Sequence, residues 1–540
     1  MPNGMQASGI LVFAAFQSFY EGCGISLVNR LQVQLTHPGH PPHHVTRLHR
    51  YDHQGLESML EAESKWEQGR EIPETASAMI QLNDAKQADQ PLEDKFLQLS
   101  PAQVRGLREQ HALHDGFAVT RLQSLTTQYI GPIGVGSVLA PPNCVLNMET
   151  PLEFKLKSQA VDVEENSTSS QRPTCHLEEE SQVWVIYDTG STNIWISSDL
   201  CKRGPCTEAG RNRYNHTVSK TYELPELENY VNVRFGTGRV SGPQAMDDFH
   251  IGLFSVHRQT FAMIEVAEGP VFEEVPFEGI VGLAFPSMSS NGARPFFDSV
   301  VEQGVLKHNE FAFYFSRDKP AANAVFWGGV DPTFYKGNIT YFPVVDPHYW
   351  SIKLKSFLIG KREVMGLRDV PWSRKISSRF LQKQSWHGPF AILDTGTTFF
   401  TADSRKFPEV MSMLPSVMCS QVTDESHPPI TFRLENAAGR ETDIVLTNGQ
   451  YMIRAGKGDD PKCHTAFMKL DLPAQHGPSM ILGEVFLRNF FAVFDRQDGN
   501  PHHARVGIAE SSHEPDTESR IKDLTKNQAA WKGKGNTAVQ

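Results

Sequence analysis

Short apolar runs that end in tight polar turns recur along the chain and predict β-strands. The run 185–187 leads into Asp188 and an Asp-Thr-Gly-Ser turn, and the run 390–393 leads into Asp394 and an Asp-Thr-Gly-Thr turn. Apolar β-prone runs bounded by such turn residues are typical of strands. The repeated unit predicts two similar halves, each of which brings one carboxylate to a shared site.

Further strands are predicted on both sides of these units. The segment 128–136 is an apolar run punctuated by glycines, and 230–242 alternates around a glycine-rich tip, as in a β-hairpin. The run 277–285 is apolar with glycines that permit close backbone approach, and 349–354 alternates again. The pattern therefore predicts a mainly β (all-β) protein.

The N-terminal part of the chain has a different character. An apolar run at 10–16 is too short to span a bilayer and suits a signal peptide, which we place at 1–24. Residues 25–124 are polar and contain a basic, His-rich patch near their start. We expect either a solvated leader or a cationic prosegment that gains charge on acidification.

Two other segments lack the strand pattern. Residues 137–181 are polar and interrupt the first half directly before the strand of Asp188, so we predict an inserted surface loop. Residues 511–540 are charged and without apolar periodicity, and we predict a disordered tail.

Composition narrows the class of protein. A length of 540 residues allows two or three domains, and 51 Lys+Arg against 62 Asp+Glu leave a formal charge of −11. This balance argues against nucleic acid as a partner. Seven cysteines without a Cys-x-x-Cys pair favour an oxidising compartment over a zinc site, although free thiols are the alternative. Glycosylation sequons lie at Asn166, Asn215 and Asn338.

Five motifs in one order carry a family resemblance. They are Asp-Thr-Gly-Ser-Thr-Asn-Ile-Trp at 188–195, Phe-Gly-Thr-Gly at 235–238, Phe-Glu-Gly-Ile-Val-Gly-Leu-Ala at 277–284, Asp-Thr-Gly-Thr-Thr at 394–398 and Ile-Leu-Gly-Glu-Val-Phe-Leu-Arg at 481–488. Together they resemble pepsin-like aspartic endopeptidases from about residue 125 to about residue 510. The particular residues of these motifs are similar to those of the plasmepsin IX/X branch of the apicomplexan aspartyl proteases.

The resemblance implies a bilobal pepsin-like fold with an N-terminal lobe at 125–327, a C-terminal lobe at 328–510 and a cleft between them. It implies a protease made as a zymogen, with Asp188 and Asp394 as a catalytic pair that shares one proton and activates water. It also implies supporting and substrate-binding roles for a larger set: Gly190, Ser191, Gly396, Thr397, Thr398, Phe235, Gly236, Thr237, Ile186, Phe277, Ile280 and Trp195, with Thr189 and Thr395 bracing the two loops.

The cysteines follow the same scheme. Cys419 and Cys463 span what resembles the disulfide loop of the C-terminal lobe, and Cys201 and Cys206 form a close pair in the other half. Cys144 and Cys175 bracket the insertion and are a third candidate pair. The resemblance implies that the substrates are proteins or peptides and that no metal ion or cofactor is needed. It also implies a monomer without a stable membrane span, in the secretory pathway or in an acidic endolysosome-like organelle.

One departure and two alternatives accompany this hypothesis. The family has a tyrosine where Phe235 lies, with a hydroxyl that reaches the position of Trp195, and Phe235 lacks that hydroxyl. We expect altered mobility of the flap, which is the hairpin tip at 235–238, and a different inhibitor profile. A catalytically inactive binding protein on the same fold is the first alternative. A carboxylate-pair glycosidase or a metal site is the second, and it leaves the repeated Thr-Gly-Ser/Thr context unexplained.

Overall fold

The computed structural model describes most of the chain between residues 117 and 531. Gaps in this description fall at 126–127, 138–181, 209, 227–228, 236–237, 253, 270–271, 273–276, 290–291, 318, 320–321, 370–385, 387, 456–459, 474–475, 477 and 515, and side chains are also not described at 125, at 234–235 and from 526 onwards. The predicted signal peptide, nearly all of the predicted prosegment and nearly all of the 137–181 insertion lie outside the described residues.

Strands dominate the part of the chain before residue 330. They are β1 Ala118–Leu125, β2 Gln128–Val135, β3 Gln182–Asp188, β4 Ile194–Ser197, β5 Tyr230–Phe235, β6 Gly238–Ile251, β7 Phe254–Ile264, β8 Val266–Glu268, β9 Gly279–Gly282, β10 Glu310–Tyr314 and β11 Asn323–Trp327.

The second half is built in the same way. Its strands are β12 Tyr335–Asp346, β13 Ser351–Ile359, β14 Arg362–Gly366, β15 Phe390–Leu393, β16 Phe400–Ala402, β17 Val417–Met418, β18 Ile430–Glu435, β19 Glu441–Leu446, β20 Met452–Ala455, β21 Lys462–Thr465, β22 Phe467–Lys469, β23 Ser479–Leu482, β24 Phe490–Asp495 and β25 Arg505–Ser511. The α-helices of the described residues are α1 Phe296–Gln303, α2 Phe407–Met413, α3 Asn448–Tyr451, α4 Glu484–Leu487 and α5 Thr517–Trp531. None of the described helices combines the length and the apolar character that a membrane crossing requires.

The two halves repeat one arrangement around their Asp-Thr-Gly turns. In the first half, β3 pairs antiparallel with β2 and parallel with β9. In the second, β15 pairs antiparallel with β13 and parallel with β23. Each turn thus follows a strand that has neighbours on both sides, which fixes its position. The mainly β, two-lobed fold predicted from the sequence is confirmed.

A six-stranded antiparallel sheet joins the halves, in the order β1, β11, β10, β24, β25, β12. Three of its strands, β10, β11 and β24, carry several buried aromatic side chains. Phe311 stacks on Phe494 across the β10–β24 pair, with ring centroids 5.1 Å apart, and lies 5.7 Å from Trp350. Burial of such large rings contributes strongly to stability, so the lobes share one continuous core.

The C-terminal end of the described chain corrects the sequence prediction, and its N-terminal end contains a strand that the sequence did not predict. Strand β1 begins at Ala118, inside the segment assigned to the prosegment, and it pairs with β11 and β2 as part of the body. The predicted disordered tail at 511–540 contains helix α5 at Thr517–Trp531. Ile521 is fully buried on this helix, and Arg520 forms an ion pair with the buried Asp331 at 2.7 Å.

Removing the buried anchor of α5 tests this correction. We expect Ile521→Ala to lower the free energy of unfolding by about 2–4 kcal/mol, because it leaves a cavity in the cluster that contains Phe334 and Phe491. Lys522→Ala, at an exposed position of the same helix, should change it by at most about 0.5 kcal/mol. Chemical denaturation followed by fluorescence measures both. Equal stability of the two variants would show that α5 does not pack as described.

Candidate active site

The ends of β3 and β15 place Asp188 and Asp394 side by side. Both side chains are fully buried, with no accessible surface. Each carboxyl group lies against the turn that holds the other, and the two interact directly. Two carboxyl groups at this distance cannot both carry charge without strong repulsion, so the pair holds a proton between its members.

Each carboxyl group is held by the turn that follows it. The backbone N–H of Gly190 donates to Oδ1 of Asp188 at 2.8 Å, and the Ser191 hydroxyl donates to its Oδ2. In the second turn, the N–H of Gly396 donates to Oδ1 of Asp394 at 2.8 Å. The Thr397 hydroxyl donates to Oδ2 of Asp394 at 2.7 Å. The short polar side chains at the third position after each Asp thus orient the carboxyl planes.

The two turns are tied to each other by reciprocal bonds. The N–H of Thr189 donates to the hydroxyl oxygen of Thr395, and the N–H of Thr395 donates to the hydroxyl oxygen of Thr189, both at 3.0 Å. The hydroxyls then donate to main-chain carbonyls of the opposite half, Thr189 to Leu393 at 3.0 Å and Thr395 to Tyr187 at 2.7 Å. These four bonds fix the separation of the two carboxylates.

Glycine is required at both turns by close packing across the pair. A Cβ atom added at Gly190 would lie 2.5 Å from Cγ of Asp394, and one added at Gly396 would lie 2.3 Å from Oδ1 of Asp188. These separations are far inside van der Waals contact. Any side chain at either position would therefore separate the carboxyl groups.

Burial raises the pKa of both carboxyl groups. For Asp188, desolvation is the largest cause, partly offset by the hydrogen bonds from Ser191 and Gly190. For Asp394, desolvation is joined by the negative charge of Asp188, which raises its pKa well above the usual range of an aspartate. The pair therefore retains one proton at mildly acidic pH, and that proton belongs to the pair rather than to one residue.

An apolar wall adjoins the first turn. Ile186, Trp195, Phe277 and Ile280 lie in one buried cluster, and the Trp195 ring meets Phe277 edge-on with centroids 5.8 Å apart. Phe272 joins them, 5.9 Å from Trp195. Such a wall suits an apolar substrate side chain.

The predicted flap, the hairpin tip at 235–238, is described only in part. Phe235 ends β5 and pairs through its backbone with Gly238. Its side chain, together with Gly236 and Thr237, lies outside the described residues, so the expected consequences of the Tyr-to-Phe departure stay a prediction.

Several supporting residues were missed by sequence reasoning. The guanidinium of Arg211 donates to the carbonyl oxygens of Phe272 at 2.8 Å and Phe277 at 3.2 Å, which holds both ends of the segment that carries these rings. The Gln128 side-chain amide donates to the carbonyl oxygen of Gly396 at 3.2 Å. Both bonds link residues far apart in sequence, so no local pattern indicates them.

Glu484 supports the second turn from helix α4. Its backbone N–H donates to the carbonyl oxygen of Thr397 at 2.8 Å, and that of Val485 donates to the carbonyl oxygen of Thr398 at 3.0 Å. The Glu484 side chain is fully buried, and its Oε2 accepts from Arg488 at 3.1 Å. Arg488 also donates to the hydroxyl oxygen of Tyr129 at 2.9 Å, which connects the lobes.

The pKa of Glu484 predicts a pH-dependent stability. Burial raises it from 4.5 to about 8, although Arg488 opposes the shift. The folded chain therefore binds a proton that the unfolded chain releases, so this contribution to stability is complete below about pH 4.5 and is lost as the pH rises through about 8. We expect Glu484→Gln to reduce the loss of unfolding free energy between these pH values by about 2–4 kcal/mol.

Urea denaturation at several pH values measures this effect. Glu425→Gln, at an exposed position, is the control and should preserve the wild-type pH dependence. If the Glu484→Gln variant also preserves it, Glu484 does not take up a proton on folding.

Two of the three predicted cysteine pairs lie within the described residues, as do two of the three sequons. Disulfides join Cys201 to Cys206 and Cys419 to Cys463, with Cα atoms 6.4 Å and 4.8 Å apart. The candidate pair Cys144–Cys175 and the sequon at Asn166 lie outside the described residues. Asn215 and Asn338 are exposed, and their glycosylation stays a prediction.

The family model for eukaryotic aspartyl proteases matches residues 178–511. The chain is similar to Aspartic protease 3 of Toxoplasma gondii, with 36% identity over 351 residues that cover 63% of this chain and 50% of that protein. It is similar to Plasmepsin IX of Plasmodium falciparum, with 30% identity over 390 residues, 63% of this chain and 60% of that protein.

The match to a third relative spans a larger share of that relative's length. Pepsin A of Sus scrofa is 29% identical over 334 residues, which are 60% of this chain and 77% of that protein. The matches to the two parasite proteins span only about half to three fifths of their lengths. Helix α5 begins after the end of the family match at residue 511.

Proposed function

Because the chain belongs to the eukaryotic aspartyl protease family, we propose that it is an aspartic endopeptidase in which Asp188 and Asp394 form the catalytic pair. The observation that carries this proposal is the buried, closely apposed carboxyl pair at the ends of β3 and β15. Its substrates are proteins or peptides that lie extended in the cleft between the lobes.

Peptide hydrolysis by this pair needs one ionised and one protonated carboxyl group. The ionised member takes a proton from water, which attacks the peptide carbonyl carbon, while the protonated member hydrogen-bonds the carbonyl oxygen as negative charge develops there. Collapse of the tetrahedral intermediate breaks the C–N bond, and the departing amine receives a proton from the pair. The bonds from Gly190, Ser191, Gly396 and Thr397 hold the carboxyl groups for this exchange.

Around the pair, we propose distinct roles for the other predicted residues. Ile186, Phe277 and Ile280 line an apolar pocket, with Trp195 packed behind it, and the backbone of Gly236 and Thr237 on the flap hydrogen-bonds the substrate. Thr398 supports the second turn through its bond from α4. Phe235 alters flap mobility and therefore the inhibitor profile.

Maturation and location are also part of the proposal. Residues 1–24 act as a signal peptide, and the His-rich segment within 25–124 acts as a prosegment that acid helps to release. The two disulfides fit folding in an oxidising compartment. The protein then works as a monomer in the secretory pathway, outside the cell or in an acidic organelle.

A statine-type transition-state mimic tests the proposed function. The full-length chain, after processing at acidic pH, is incubated with a peptide library with and without the mimic, and with a metal chelator as a separate condition. Acid cleavage that the mimic blocks and the chelator leaves intact supports the proposal. Binding of the mimic without cleavage favours the inactive binding protein, and loss of cleavage with the chelator favours a metal-dependent enzyme.

A further inference from the structure

Two stacked histidines lie where the two halves of the chain meet, outside the carboxyl pair. The rings of His348 and His476 are parallel within 20° and have centroids 4.5 Å apart. His476 is buried and lies against Asp346, with Nδ1 to Oδ2 at 3.2 Å. His348 is partly buried, and Ser287 of the N-terminal half lies 3.3 Å from its Nδ1.

Both rings pack on Tyr349. His348 meets the tyrosine ring edge-on at 4.9 Å between centroids, and His476 meets it at 5.1 Å. Tyr349 is itself buried in a cluster with Ile392 of the strand that leads to Asp394 and with Met288 of the other half. A change in the histidine stack is therefore passed to a side chain that packs against the strand of the catalytic pair.

The surroundings of Tyr349 leave polar atoms without protein partners. Within the described part of the chain, neither the buried Tyr349 hydroxyl nor Nε2 of His348 has a hydrogen-bond partner. Burial raises the pKa of the Tyr349 hydroxyl, and the charges of Asp394, Asp346 and Asp188 add to this effect. Buried polar groups without partners are costly in a folded protein and are common at functional sites.

The charges around the stack determine how it responds to pH. Positive charges on both imidazole rings would face each other across 4.5 Å, with the Asp346 carboxylate beside His476. Burial and the charge of His476 lower the pKa of His348, and Asp346 offsets this only in part. Repulsion between the two rings therefore opposes the charging of both at once in acid.

We propose that Asp346, His476 and His348 form a pH-sensitive brace for Tyr349, so that charging of the second imidazole weakens substrate binding without changing the chemical step. This inference rests on the proposed protease function. The histidines are positioning residues, because they act through Tyr349 and not on the reacting atoms. The brace sets a lower pH limit for binding that is independent of the titration of Asp188 and Asp394.

The pH dependence of KM tests the brace in the processed full-length chain. In wild type, we expect KM to rise as the pH falls from about 6.5 to about 4, and we expect kcat to change with pH independently of KM. In His348→Phe, which keeps an aromatic ring but cannot charge, the ratio of KM at the two pH values should fall by about threefold or more. An unchanged ratio would overturn the proposal.

A matched control separates the brace from histidine loss in general. His216 also pairs with an aspartate, Asp199, at 2.8 Å and packs against a tyrosine ring, but it lies in the first half, away from the stack. His216→Phe should retain the wild-type KM ratio. A fall in its ratio equal to that of His348→Phe would count against a specific role of the stack.

A titration of the histidines distinguishes failure of this inference from failure of the proposed function. In selectively labelled protein, NMR follows the ring signals of His348 with and without His476→Phe. The inference predicts that removal of His476 raises the pKa of His348, whether or not the chain cleaves peptides. An unchanged pKa of His348 would overturn the brace even in an active protease.

Discussion

Replacement of Asp394 by Asn is expected to reduce kcat/KM for peptide hydrolysis by about 10⁴-fold or more. The amide has nearly the shape of the carboxyl group, but it can neither share the proton with Asp188 nor exchange it with water and the departing amine. Folding should be preserved, because the buried position loses a titratable group rather than gaining an unpaired charge. Steady-state kinetics at acidic pH, with circular dichroism on the same sample, measure both properties.

A distant aspartate provides the control for this variant. Asp516→Asn changes an exposed residue directly before helix α5 and should retain wild-type kinetics. If Asp394→Asn cleaves peptides within about tenfold of wild type, Asp394 has no direct part in the reaction.

The second large effect is expected from Gly190→Ala. The added methyl group would lie 2.5 Å from Cγ and both oxygens of Asp394, so the two carboxyl groups must move apart. We expect kcat/KM to fall by about 10²–10³-fold, because displacement of reacting groups by about 1 Å costs about 10²-fold and separated carboxyl groups no longer share a proton. Kinetics on folded variant protein, checked by thermal unfolding, measure this loss.

Gly449→Ala is the matched control, since a Cβ atom at that exposed position meets no atom within 4 Å. Its kinetics should equal those of wild type. Near-normal activity of Gly190→Ala would show that the carboxyl groups tolerate separation, which contradicts the geometry described for the pair.

The sequence was most informative where chemistry and local structure coincide. The Asp-Thr-Gly turns at Asp188 and Asp394 follow apolar strands and repeat, so both the halves and the carboxyl pair could be predicted from them. The fold is confirmed by the equivalent pairings of β3 and β15. Local signals of this kind depend only on neighbouring residues, which a sequence displays directly.

What the sequence did not predict depends on contacts between distant residues. Strand β1 is held by β11, for example Ala118 against Trp327, so its membership of the body is a long-range property. Helix α5 is mostly polar and docks through Ile521 and an ion pair to Asp331. Two anchors in a charged segment are too few to produce an apolar period, which explains the incorrect prediction of disorder.

The supporting residues of the site follow the same rule. Gln128 bonds to Gly396 across 268 positions of sequence, and His348 meets His476 only after the C-terminal half has folded. Glu484 lies within the family motif at 481–488, but its burial and its bond to the second turn become visible only in three dimensions. Folding therefore adds the supports of the catalytic pair, while its reacting groups were evident beforehand.

The pH profile of kcat/KM for peptide cleavage by the wild-type chain tests the central claim most directly. A pair that shares one proton predicts a bell-shaped profile with an acidic optimum, because activity requires one carboxyl group ionised and the other protonated. Both limbs should disappear with the activity in Asp188→Asn and Asp394→Asn. Activity that instead rises along a single limb to a plateau at neutral pH would contradict catalysis by a shared-proton pair.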